Sequence, residues 1–170
     1  MNRQGRLVVF DLDDTLIRTD MLRPLREARK WREAVQRASD TVLFDGVAQL
    51  LEGLAERGIA WGVVTTSVSY YATAVLAHHG ITAPALVAFH DAPPKPSPAG
   101  IHLVSQRLGI DPTEAIGVGD AITDLQAYRA AGVRSVGALW SPAFAAGEWD
   151  DTAAEPLAIL KILDAGPELN

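Results

Sequence analysis

Two kinds of apolar pattern alternate along the chain. Short, nearly continuous apolar runs predict fully buried strands, and longer segments whose apolar residues recur every three or four positions predict amphipathic helices. This alternation predicts an α/β fold, a three-layer Rossmann-like parallel sheet with helices on both faces, formed by residues 1–170 as one domain. The predicted strands cover 7–10, 59–64, 86–89, 115–118 and 133–138, and the predicted helices cover 22–42, 47–57, 70–79, 100–108, 124–131 and 155–163.

The composition is that of an ordinary globular protein, and the missing residue types narrow its function. Of the 170 residues, 48% are hydrophobic and none is cysteine, so disulfides and thiolate zinc sites are excluded. No apolar run approaches the ~20 residues of a membrane span, and the N-terminal residues do not read as a signal peptide. We therefore expect a soluble cytoplasmic protein with no membrane partner. The net charge of −6 argues against binding nucleic acid through bulk charge.

The first predicted strand runs directly into a cluster of carboxylates. Asp11 and Asp13 follow the apolar run 7–10 and point to the same side if the chain stays extended. Two carboxylates at one strand end repel each other unless a cation lies between them. A divalent metal with oxygen ligands, such as Mg²⁺, is the simplest such cation. The alternative interpretation is an ordinary turn, because Asp often satisfies its own backbone there.

Three further polar clusters also follow predicted strands. Parallel strands place their carboxyl ends at one edge of the sheet, where ligands bind in this class of fold. Carboxylates suit Mg²⁺, and a lysine and a hydroxyl suit phosphoryl oxygens, so the set favours phosphoryl chemistry. An Asp carboxylate can also attack phosphorus and form an aspartyl-phosphate. The four clusters are Asp11/Asp13, Thr65, Lys95 and Asp120/Asp124.

In their order and spacing, these clusters resemble the motifs of the haloacid dehalogenase superfamily, on its phosphatase side. The resemblance covers nearly the whole chain. It implies a haloacid dehalogenase-like fold and hydrolysis of a phosphomonoester. The matching segments are Asp11-Leu12-Asp13-Asp14-Thr15, Val63-Val64-Thr65, Lys95-Pro96-Ser97-Pro98 and Val118-Gly119-Asp120-Ala121-Ile122-Thr123-Asp124.

The resemblance also implies a role for each catalytic residue. Asp11 would be the nucleophile, and Asp13 would protonate the leaving oxygen and later deprotonate the attacking water. Thr65, Thr66 and Lys95 would bind the transferring phosphoryl group. Because the dehalogenase branch lacks an aspartate at the position of Asp13, halide displacement is not expected.

By the same resemblance, Mg²⁺ is the expected cofactor. Asp11, Asp120 and the backbone carbonyl of Asp13 would hold the ion, and Asp124 would support the metal and its waters. The expected substrate is a small phosphorylated metabolite or nucleotide. Nucleic acid is not expected as a general partner, although a phosphorylated nucleotide end stays open as a substrate.

One segment departs from the pattern of relatives with a helical cap. Residues 18–44 leave room for about one helix, so the resemblance implies a strongly reduced cap. The open site would admit a bulky substrate, or a second subunit in a homo-oligomer would cover it. The basic face between Arg23 and Arg37 is interpreted as a solvated surface, with attraction of polyanionic substrates as the alternative.

Two other functions stay open at this point. A binding or regulatory module on the same fold would have weak or no turnover and would use the basic face for a partner. A phosphomutase would need its intermediate to survive attack by water, and so short a cap is poorly suited to excluding water.

Overall fold

A parallel sheet of six strands forms the centre of the computed structural model, which describes residues 6–166. Its strand order is β5-β4-β1-β6-β7-β8, with β1 flanked on both sides. This confirms the predicted parallel sheet and makes β1 the strand from which the chain builds outwards in both directions. The strands are β1 (Leu7–Phe10), β4 (Ala60–Val64), β5 (Leu86–Val87), β6 (Ala115–Gly119), β7 (Arg134–Ala138) and β8 (Asp151–Ala153), and a separate antiparallel pair is formed by β2 (Ile17–Arg18) and β3 (Val42–Leu43).

Helices cover both faces of the sheet. Alternate residues of β1 point to opposite faces, so both faces are apolar and each is covered by helices. Val8 and Phe10 pack in one core with residues of α3, α4 and α7, and Leu7 and Val9 pack in a second core with residues of α5 and α6. All four residues of β1 are fully buried. The helices are α1 (Arg23–Glu27), α2 (Trp31–Gln36), α3 (Val47–Glu56), α4 (Ser69–His78), α5 (Ala99–Leu108), α6 (Ile122–Ala130) and α7 (Ala158–Ala165).

The single helix predicted over 22–42 is wrong. Arg29 adopts a left-handed conformation with φ 55°, and the Lys30 amide donates to the Leu25 carbonyl at 2.8 Å, so the chain turns between α1 and α2. Apolar residues on either side of the break nevertheless pack in one core. Leu22, which precedes α1, and Ala34 of α2 are fully buried there, and Leu25 of α1 packs against that core. Apolar residues therefore recur every three or four positions on both sides of the break, and this spacing does not show that the helix is interrupted.

The two ends of the segment 18–44 lie next to each other. Strands β2 and β3 pair antiparallel, with Ile17 opposite Leu43 and Arg18 opposite Val42. This narrow ribbon carries α1 and α2 as an insertion, whose second helix contacts α4. Trp31 of α2 packs against Tyr71 of α4, with ring centroids 5.4 Å apart.

Smaller differences occur at the edges of the sheet. The predicted strand over 86–89 is only two residues long, and the last helix begins at Ala158 rather than at residue 155. Strand β8 was not predicted, because three residues carry too little pattern to read, and it exists through its pairing with β7. Over the described residues 6–166, no helix has the length and apolar character required to cross a membrane.

Candidate active site

Three buried carboxylates meet where β1 and β6 end. Asp11 follows β1, Asp120 follows β6, and Asp124 lies in the first turn of α6. The two strands are parallel neighbours, and the Asp11 amide donates to the Val118 carbonyl at 2.9 Å, so their ends are held together. Each of the three carboxylates offers an oxygen within 4.8 Å of the others. The structure thus brings together the residues that the sequence placed at these two strand ends.

Lys95 lies between two of these carboxylates. Its Nζ donates to Asp11 Oδ1 at 2.8 Å, to Asp124 Oδ1 at 2.6 Å and to the Val64 carbonyl at 2.9 Å. All three ammonium hydrogens therefore have an acceptor, in a place where the Lys95 side chain is only 3% exposed. Burial alone would lower the pKa of Lys95, but Asp11 and Asp124 outweigh it and raise the pKa above its usual value. The lysine is charged at any physiological pH.

The trio carries more negative charge than Lys95 can offset. Burial raises the pKa of Asp11 well above its usual value; Asp124 raises it further, and Lys95 opposes both. Burial also raises the pKa of Asp120, against a hydrogen bond from the Ser141 hydroxyl. Three carboxylates lie close together, and the one ammonium contacts only Asp11 and Asp124. The cluster therefore favours the binding of a further cation, because buried like charges are costly when unpaired.

A close approach of the backbone fixes Asp124. Its Oδ2 accepts hydrogen bonds from the amides of Asp120 at 3.1 Å and Ala121 at 3.0 Å. A Cβ at Gly119 would lie 2.5 Å from that same oxygen, so only glycine leaves room for the carboxylate here. The Gly-Asp turn read from the sequence thus wraps tightly around the Asp124 side chain.

The Asp13 carboxylate lies apart from the trio and has its own partners. Its Oδ1 accepts from the Thr19 hydroxyl at 2.8 Å and from the Tyr71 hydroxyl at 2.9 Å, and its Oδ2 accepts from the Ser67 hydroxyl at 2.7 Å. The guanidinium Nε of Arg26 lies 3.6 Å from Oδ1. Asp13 nevertheless lines the same crevice as Asp11.

The two threonines at the end of β4 occupy different positions. Thr65 is buried, and its hydroxyl accepts a hydrogen bond from the Ser67 amide at 3.1 Å. Thr66 is exposed and lines the crevice beside Lys95. Thr65 follows Val64, whose carbonyl binds Lys95, so both threonines lie next to the predicted phosphoryl site.

Comparison with known proteins identifies the family. Residues 23–138 match the model of the haloacid dehalogenase-like hydrolases. This chain belongs to that family. It is 38% identical over 100 residues to a phosphoglycolate phosphatase of Xylella fastidiosa, an alignment that covers 57% of this chain and 44% of the relative. It is 28% identical over 131 residues to an N-acetylmuramic acid 6-phosphate phosphatase of Pseudomonas putida, which covers 72% of this chain and 59% of the relative.

Solved structures of haloacid dehalogenase-like hydrolases share its fold. A subfamily IA hydrolase of this superfamily from Geobacter sulfurreducens superposes with a TM-score of 0.75 at 18% identity, over 95% of this chain and 97% of the other. In the sequence alignments above, the chain spans only about half the length of its relatives.

Several residues around the candidate site have no distinguishing pattern in the sequence. Ser141 donates to Asp120 Oδ2 at 2.8 Å, and Ser67 and Tyr71 donate to Asp13. None belongs to a strand-end cluster of charges, so residue type alone could not single them out. Arg26 belongs to the basic face that was interpreted as a solvated surface, yet its side chain is only 16% exposed and lies against Asp13.

A recess adjoins the crevice that Asp11 and Asp13 line. The crevice has a volume of 340 Å³ and the recess one of 290 Å³, and Arg26, Glu27 and Thr66 line both. The remaining wall of the recess includes Arg29 and Trp31 from the segment 18–44. The insertion therefore forms one side of a space that continues outward from the trio.

Proposed function

We propose that this chain is a Mg²⁺-dependent phosphomonoester hydrolase that works through an aspartyl-phosphate on Asp11. The observation that carries the proposal is the buried trio of Asp11, Asp120 and Asp124 at the carboxyl edge of the sheet, with Lys95 bound to Asp11 and Asp124. Phosphatase names among the relatives support the reaction class.

The chain's own residues would divide the reaction into two displacements. In the first, an Asp11 oxygen forms a bond to phosphorus, the bond from phosphorus to the leaving oxygen breaks, and Asp13 gives its proton to that oxygen. In the second, water attacks phosphorus, its proton passes to Asp13, and the bond to Asp11 breaks to release phosphate. Lys95, Thr65 and Thr66 would bind the phosphoryl oxygens during both steps.

The donor set fits Mg²⁺. Asp11, Asp120 and Asp124 supply hard oxygen ligands that lie close together and are buried, and the Asp13 backbone carbonyl is proposed as a further ligand. When bound, the ion supplies positive charge for the carboxylates and for the phosphoryl oxygens. Asp124 also holds the turn at Asp120 in place through its backbone contacts.

The recess beside the crevice is proposed to take the leaving group. Residues 18–44 would act as a reduced cap, whose Arg29 and Trp31 face the part of the substrate beyond the phosphate. A volume of 290 Å³ suits a small metabolite or a nucleotide. The substrates named for relatives, phosphoglycolate and N-acetylmuramic acid 6-phosphate, both fall in the small class, and they are starting points for a screen.

Hydrolysis of nitrophenyl phosphate tests the proposal. Activity is expected with Mg²⁺, and it should be lost with a chelator and in Asp11→Asn. Asp45→Asn is the matched control, because Asp45 is exposed in the turn before α3. Full activity in Asp11→Asn, or activity that ignores the metal, would refute the mechanism. A tight partner complex without turnover would instead favour the regulatory module.

A further inference from the structure

Three hydroxyl groups surround the Asp13 carboxylate, and one of them comes from the buried core of α4. We infer that Tyr71 is a positioning residue, whose hydroxyl aims the Asp13 carboxyl at the leaving oxygen. The inference rests on the proposed function, in which Asp13 protonates that oxygen. Its basis is the 2.9 Å hydrogen bond from Tyr71 to Asp13 Oδ1.

Both carboxyl oxygens of Asp13 are fixed, and from two sides. Tyr71 and Ser67 donate from the side of α4, at 2.9 Å to Oδ1 and 2.7 Å to Oδ2. Thr19 donates to Oδ1 at 2.8 Å from the start of the segment 18–44. Donors on both oxygens oppose rotation of the carboxyl plane, which is what a group that must deliver a proton in one direction requires.

The hydroxyl of Tyr71 is not explained by packing. The side chain is fully buried, and its ring contacts Trp31 of α2. Phenylalanine would make the same apolar contact. The burial of Tyr71 and the nearby Asp13 charge raise the pKa of the phenol, so it stays a donor at any working pH. The hydroxyl therefore acts on Asp13, and the ring connects that contact to the proposed cap.

The inference predicts which substrates suffer when the hydroxyl is removed. An alkyl phosphate has a poor leaving group and needs a proton as the bond from phosphorus to oxygen breaks. Nitrophenyl phosphate has a good leaving group and needs little such help. The value of kcat/KM reports the barrier from free enzyme and substrate up to the first irreversible step, so it isolates formation of the aspartyl-phosphate.

The experiment compares Tyr71→Phe with wild type on glycerol phosphate and on nitrophenyl phosphate. We expect kcat/KM to fall roughly ten- to hundredfold for glycerol phosphate, within the range for a buried polar group that loses its hydrogen-bond partner, and less than about threefold for nitrophenyl phosphate. Ser67→Ala should show the same imbalance. Tyr70→Phe is the matched control, because the neighbouring tyrosine is 51% exposed.

The outcomes separate the inference from the function beneath it. Equal losses on the two substrates would show that Tyr71 is merely structural, and an unchanged rate on glycerol phosphate would show that its hydroxyl is idle. Either result overturns the inference while the Asp11-dependent hydrolysis stands. If wild type hydrolyses neither substrate in an Asp11-dependent way, the proposed function fails, and the inference fails with it.

Discussion

Lys95 offsets two buried carboxylates, so its replacement by methionine should destabilise the metal-free protein strongly. Methionine keeps most of the length and apolar stem of lysine but removes the charge and all three donors. Asp11 and Asp124 then lose their partner, and the Val64 carbonyl loses its donor. The side chains of Lys95 and Asp124 are 3% and 1% exposed, so water cannot replace these contacts easily.

The expected magnitude follows from this burial. Breaking a buried ion pair from one side typically costs about 3–5 kcal/mol, because a charge is left uncompensated. Asp11 is 12% exposed, so some hydration moderates its share of the cost. A loss of about 3 kcal/mol is a large part of the 5–15 kcal/mol that holds an ordinary domain folded. Asp11→Asn in the Lys95→Met background should recover part of the loss, because it removes one unpaired charge.

Urea unfolding in the presence of a chelator measures the free energy of unfolding directly. Lys161→Met is the matched control, since Lys161 is exposed on α7, and it should change stability by less than about 0.5 kcal/mol.

The pH dependence has a definite sign. Burial and the Asp124 charge raise the pKa of Asp11, so loss of Lys95 raises it further. An acid whose pKa is raised by folding stabilises at low pH and loses that contribution as the pH rises through its folded value. The deficit of Lys95→Met relative to wild type should thus be larger at about pH 7.5 than at about pH 5. A variant as stable as Lys161→Met, or a deficit that grows on acidification, would refute the reasoning.

Three further predictions concern the metal, the turn and the recess. Mg²⁺ at about a hundred times its Kd should stabilise wild type by about 2.7 kcal/mol, which a thermal melt detects as a higher melting temperature. Asp120→Asn should lose this gain, while its metal-free form melts no lower than metal-free wild type. Gly119→Ala places a Cβ 2.5 Å from Asp124 Oδ2. The variant should lose about 1–3 kcal/mol of unfolding free energy, measured in urea, and its phosphatase activity should fall sharply. An active, stable variant would contradict the tight turn. Arg29→Gln should lower kcat/KM about tenfold for phosphoglycerate, which carries a carboxylate, but not for glycerol phosphate, which has none. Arg32→Gln, exposed on α2, should spare both.

The sequence alone predicts which edge of the sheet carries the charged residues. Leu7–Phe10 reads as a buried strand, and Asp11 must follow wherever that strand ends. Parallel strands end at the same edge, so the sequence places Asp120 after β6 at the same edge as Asp11. The pairing of β1 with β6, which makes the two residues neighbours, is a feature of the tertiary structure. The pattern needed for this inference is local, since it consists of apolar runs followed by charged residues.

Only the tertiary structure shows which neutral side chains donate hydrogen bonds to these carboxylates. Tyr71 and Ser67 reach Asp13 through the way α4 packs on the sheet, and Ser141 reaches Asp120 from beyond β7. Hydroxyl groups are common along the chain, and nothing local separates these from the rest.

The form of the segment 18–44 was also settled only in three dimensions. Its apolar spacing continues through the left-handed Arg29, because Leu25 before it and Ala34 after it pack in or against the same core. Periodicity records which face is buried, but it does not record whether the backbone between two buried residues stays helical. The ribbon of β2 and β3 joins residues 17–18 to residues 42–43, so the chain between them must turn back on itself. This pairing joins residues far apart in the sequence and is visible only in three dimensions.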